Sequence, residues 1–168
     1  MRGRTALVIG LTVVIAVVIQ TTLFGRLRVV TPDLVMLIGI MLALTRIRTE
    51  AILGVAFLSG LIMDLLGASL IGLRAVVYTT VAYIAIRTRE RAEMGGRVTI
   101  ALWVGLLTLL GVVLLLLIGT LFGQAALIGE GAVSVMILVP LANVAVAALF
   151  APTFVRLVDR DRTALRYP

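Results

Sequence analysis

Cysteine, histidine and lysine are all missing from the 168 residues. Without cysteine there is no disulfide framework, no thiol nucleophile and no thiolate metal site. Without histidine the commonest general base, proton switch and metal ligand is gone. Charge is sparse as well, at 14% of residues, where a soluble domain carries about 25%. Only carboxylates and hydroxyls remain for chemistry, and no phosphate-cradling loop, metal-ligand cluster or nucleophile–base set is found among them. The sequence therefore predicts no enzyme, no metal and no cofactor.

Apolar surface fills the chain instead. Hydrophobic residues make up 62% of it, and the mean hydropathy is +1.23. A water-soluble core of this length could not bury so much, so lipid is the natural solvent. The net charge of +7 then reads as arginine-rich loops facing anionic lipid, and not as a nucleic-acid surface. The length suits a single domain.

Six apolar runs cover residues 5–24, 32–47, 50–66, 71–87, 98–122 and 131–155, followed by a polar tail over 156–168. A helix needs about 20 residues to cross a hydrocarbon core about 30 Å thick. The first, fifth and sixth runs satisfy this easily. The second, third and fourth are short, so they must thin the bilayer, borrow flanking residues or sit inside the bundle. The first run could also be a signal peptide, since Arg2 and Arg4 precede it. No small-x-small cleavage site follows at Gln20–Phe24, which favours a retained helix. The expected fold class is an all-α integral membrane protein, a bundle of six transmembrane helices.

Arginine placement orients such a bundle. With both termini cytoplasmic, the inner side holds Arg2, Arg4, Arg46, Arg48, Arg87, Arg89, Arg91, Arg97, Arg156, Arg160, Arg162 and Arg166. Only Arg26, Arg28 and Arg74 lie outside, a strong positive-inside bias. A re-entrant second run with an outer N-terminus gives the same ratio. The side of the C-terminus is thus better determined than that of the N-terminus.

Ionisable groups at membrane depth each need a reason. Ala56, Gly60, Asp64 and Gly67 fall on one helical stripe, where small residues admit a neighbouring helix and the carboxylate faces it. The stripe could serve bundle packing, a partner protein or ligand, or a proton relay. Arg74 begins the next run beyond the turn that contains Ser69 and ends at Gly72, so Asp64 and Arg74 are expected to be close neighbours. Around Asp33, Thr31 is the expected cap, Pro32 the first-turn residue and the acid a complement to the helix dipole. Pro140 should kink the sixth span. Asn143, Ala147 and Ala151 form a second packing stripe after it. Trp103 reads as an interface anchor, and Gln20 and Gln124 as packing or interfacial residues.

Pro32-Asp33-Leu34, followed by Ala56–Leu66 with its Gly60-Leu61-Ile62-Met63-Asp64 core, then Gly72-Leu73 and Tyr78, resembles the rod shape-determining protein MreD family. The motifs cover about residues 32–83, and the remainder agrees in length and span order. The resemblance implies a small bacterial inner-membrane subunit of the cell-elongation machinery. It implies association with a MreC-like single-span protein, and indirectly with MreB filaments, a RodA-like peptidoglycan polymerase and its transpeptidase. A fold similar to the substrate-binding subunits of energy-coupling factor transporters is implied as well. A solute-binding transporter subunit is accordingly the rival function, and membrane lipid a further expected partner.

Overall fold

The computed structural model describes residues 3–24, 31–67, 70–94, 96–123 and 131–163. Among them are six helices and no strand: α1 (Gly3–Val18), α2 (Leu34–Ala43), α3 (Thr49–Leu66), α4 (Leu73–Met94), α5 (Gly96–Leu121) and α6 (Ala132–Thr163). Arg2, Arg26, Arg28, Ser69, Gln124 and Arg166 lie outside the described residues, as do the side chains of Arg91, Arg97, Arg160 and Arg162. Gly3–Leu23, Thr49–Leu66, Val98–Leu121 and Ala132–Val158 are each long and apolar enough to cross a membrane.

The short second helix explains the architecture. Leu34–Ala43 is ten residues long, about 15 Å at helical rise, which is half the thickness of a hydrocarbon core. It is apolar on every side, and nine of its residues are buried. A helix of that kind belongs in an interior. It touches all five other helices, while α1, α3, α4, α5 and α6 close around it, each touching the next and α6 returning to α1. Being surrounded by protein, α2 has no need to match the bilayer. Of the options open to a short run, this one sits inside the bundle.

Small residues set how closely the ring approaches this centre. Gly39 of α2 lies where an added Cβ would be 3.7 Å from the Ala56 Cβ and 3.9 Å from the Ala82 Cβ, so α2, α3 and α4 meet through small side chains. On α5, Gly111 makes room for the Met36 thioether, which an added Cβ would strike. The outer faces are apolar in a different way. Leu7, Leu11 and Val14 of α1, Leu102 and Leu106 of α5, and Leu149 and Phe150 of α6 are all exposed, as surfaces solvated by lipid tails should be.

Two local readings are corrected, and a third is extended. Trp103 is buried and donates from Nε1 to Thr88 Oγ1 at 2.8 Å, tying α5 to α4 in place of an interfacial anchor. The sixth helix is continuous past Pro140 and Pro152 to Thr163, so the first half of the polar tail is helical. Gly67 does not continue the α3 stripe. It caps the helix in an extended conformation, exposed, with its N–H on the Met63 carbonyl.

Candidate functional site

Polar side chains gather at the end of the bundle where α3 stops and α2 and α4 begin. A helix start leaves N–H groups without intrahelical partners, and this is costly away from water. Two aspartates and a glutamine answer that need.

Asp64, in the last turn of α3, is 1% exposed. Its Oδ2 accepts from the backbone N–H groups of Gly72 at 3.0 Å, Arg74 at 2.9 Å and Ala75 at 3.3 Å. The carboxylate thus caps α4 from a different helix, and its negative charge sits on the positive end of the α4 dipole. The turn is shaped for this by Gly72, whose φ of +96° suits only a residue without a Cβ. Asp64 and Arg74 are neighbours, as expected, with the Arg74 backbone amide on the carboxylate. The Arg74 guanidinium instead donates from Nη1 to the Met63 carbonyl at 3.3 Å.

The rest of the stripe is used in the same contact. A Cβ added to Gly60 would lie 2.7 Å from Ala75 Cα and from the Arg74 carbonyl oxygen. The backbones of α3 and α4 therefore touch here, with Ala56 and Gly60 buried between helices of the same chain.

Asp33 is the second hub. It is itself the N-cap of α2, with Oδ1 accepting from the Met36 N–H at 3.0 Å, so Pro32 stands just outside the helix and not in its first turn. This corrects the expectation of a Thr31 cap. Its Oδ2 accepts from the Tyr78 hydroxyl of α4 at 2.7 Å. Its carbonyl accepts from Asn143 Nδ2 of α6 at 3.3 Å, and that nitrogen also lies 3.3 Å from Thr108 Oγ1 on α5. Gln20 completes the set from the π-helical turn Ile19–Leu23 that continues α1, accepting the Leu34 N–H at 3.0 Å. One residue of the central helix is thereby tied to α4 and α6, and its neighbour to the end of α1.

Beside this hub lies a cavity of about 230 Å³, bordered by Gln20, Thr31, Asp33 and Arg74 and walled by Leu73, Val112, Leu115 and Val139. Its polar groups are a cation, a carboxylate, an amide and a hydroxyl, a set that can orient a small polar group but contains no nucleophile with a base beside it. Among the described residues no three His, Cys, Asp or Glu side chains come together in a way that could hold a metal.

Of the residues singled out in the sequence, Pro32, Asp33, Gly72, Arg74 and Asp64 meet at this end of the bundle, and Asn143 reaches it from α6. Ala56 and Gly60 lie along the approach, and Gly67 turns away. Tyr78 was legible only as part of a motif. Thr108 gave no signal, because a helical threonine ordinarily bonds its own preceding turn.

A chain of apolar helices in which the buried Asp64, Thr108 and Asn143 join one helix to another is a helical membrane protein of structural type. The sequence model of the rod shape-determining protein MreD family matches residues 1–160, and the chain belongs to that family. The family determines cell shape, within the rod-shape machinery that includes MreC and MreB, and is not known for enzymes. No curated protein and no solved structure matches the chain.

Proposed function

We propose that this protein is a non-enzymatic subunit of the bacterial cell-elongation complex in the inner membrane. In this reading it binds a MreC-like single-span protein through helix faces and supports lateral peptidoglycan synthesis. Through that partner it is linked to MreB filaments and to a RodA-like polymerase with its transpeptidase. All six helices take part in crossing the membrane, with the arginine-rich end and both termini cytoplasmic. The observation that carries the reading is the family match across 160 residues, joined to a fold in which Asp33, Asp64 and Asn143 serve contacts between helices.

The stripe on α3 acts in helix packing, since α4 already covers Gly60 and Asp64. A partner helix would then dock on an outward face. On α3 that face presents Phe57, Leu58, Ile62 and Leu65, all exposed.

The second reading, a substrate-binding transporter subunit, draws its support from the cavity at Gln20, Asp33 and Arg74. Purification from bacterial membranes separates the two. Co-elution of a MreC-like protein, with rounding of rod-shaped cells on depletion, is the expected outcome. A bound vitamin or an energy-coupling ATPase module, with unchanged cell shape, would replace the first reading by the second.

A further inference from the structure

At the opposite, arginine-rich end, α4 and the start of α3 border a second, open cavity of about 500 Å³, lined by Thr49, Tyr83, Ile86, Arg87, Arg89 and Glu90. Its two arginines are held without being used up. Arg87 donates from Nε to the Tyr83 hydroxyl at 3.2 Å and lies over that ring, 5.5 Å from its centroid. Arg89 donates from Nη1 to the Thr45 carbonyl at 3.5 Å. A guanidinium carries several N–H donors, so each arginine is oriented by one nitrogen and keeps others for an anion. Nearby Arg48 and Glu50 pair with each other at 3.4 Å. The cavity wall itself is left with two cations and the carboxylate of Glu90.

This charge pattern selects among ligands. Guanidinium groups match a phosphate by charge-assisted hydrogen bonds. A purely anionic phosphate would leave Glu90 facing a like charge. A quaternary ammonium has no N–H to give that carboxylate. A headgroup carrying both a phosphodiester and a primary amine satisfies all three residues. The position also suits a lipid: Tyr83 and Arg87 lie on α4 where its apolar part passes into charge, and aromatic and basic residues mark the membrane–water interface.

We propose that this cavity binds the headgroup of an amine-bearing phospholipid of the phosphatidylethanolamine type, its phosphate between Arg87 and Arg89 and its ammonium at Glu90. The inference does not depend on the proposed role in cell elongation.

The test reconstitutes the full chain in nanodiscs of equimolar phosphatidylethanolamine, phosphatidylglycerol and phosphatidylcholine, and counts the lipids retained on release by native mass spectrometry. The wild type should retain phosphatidylethanolamine in preference to the other two. Arg87→Gln with Arg89→Gln should lower that retention about tenfold, the effect of losing a charge-assisted hydrogen bond. Glu90→Gln should keep phospholipid but lose the preference for the amine. Arg156→Gln, which removes an exposed arginine on α6, should change nothing. Thermal unfolding of each variant checks that the fold survives. Phosphatidylglycerol retained as well as phosphatidylethanolamine by the wild type would overturn the proposal. So would an equal loss in Arg156→Gln, which would mean diffuse attraction. Displacement of the lipid by soluble glycerophosphoethanolamine would assign the site to a metabolite and overturn the lipid.

Discussion

The hydroxyl of Tyr78 on α4 donates to Asp33 Oδ2 at 2.7 Å, joining residues 45 positions apart in the chain. The same carboxylate caps the central helix through its other oxygen. One acid therefore both starts α2 and fixes α4 beside it. Tyr78→Phe removes the link and little else. The expected loss is about 1 kcal/mol, the usual scale for interhelical hydrogen bonds in membranes, measured as a shift in unfolding by SDS in mixed micelles. Unchanged unfolding would mean that the contact contributes no net stability.

Capping of α4 by Asp64 leads to a graded expectation. Asp64→Ala leaves three backbone N–H groups without their acceptor and should cost about 2 kcal/mol, at the upper end for a lost cap. Asp64→Asn keeps an acceptor oxygen but not the charge, so its cost should be smaller. Equal destabilisation by both variants would indicate that charge, and not hydrogen bonding, dominates there.

Glycines on α3 should differ by face. Gly60→Ala pushes a methyl group into the backbone of Arg74 and Ala75. The helices must part, at a cost of about 1–3 kcal/mol. Gly54→Ala meets nothing within 4 Å and should be neutral or stabilising by up to about 1 kcal/mol. Thermal unfolding in detergent distinguishes them, and the reverse order would contradict the α3–α4 contact.

Trp103→Phe keeps the aromatic ring but loses the bond from Nε1 to Thr88. Stability should fall by about 1 kcal/mol. Were Trp103 anchored at the interface, the loss would depend on bilayer composition. Buried as it is, the variant should show the same loss in short- and long-chain lipids.

Much of the bundle can be read directly from composition and periodicity. The apolar runs, the absence of catalytic residue types and the concentration of arginine at one end are all written in local sequence. Asp64 with Gly60 could be recognised as a helix-contact stripe because its spacing is a helical period. The surroundings of Asp33 could not be read so fully. Its capping role is local, but Tyr78, Asn143 and Gln20 come to it from three distant segments. Arg74 shows a similar limit, since chain proximity to Asp64 does not say whether its amide or its guanidinium makes the contact.

The central helix draws the line most clearly. From Leu34 to Ala43 the residues are apolar on every side, so the sequence alone determines that this helix avoids water. Lipid and protein satisfy that demand equally, and nothing in ten apolar residues tells one from the other. Only the tertiary structure places five helices around it, because which helices meet depends on small residues and polar links brought together through space and not along the chain.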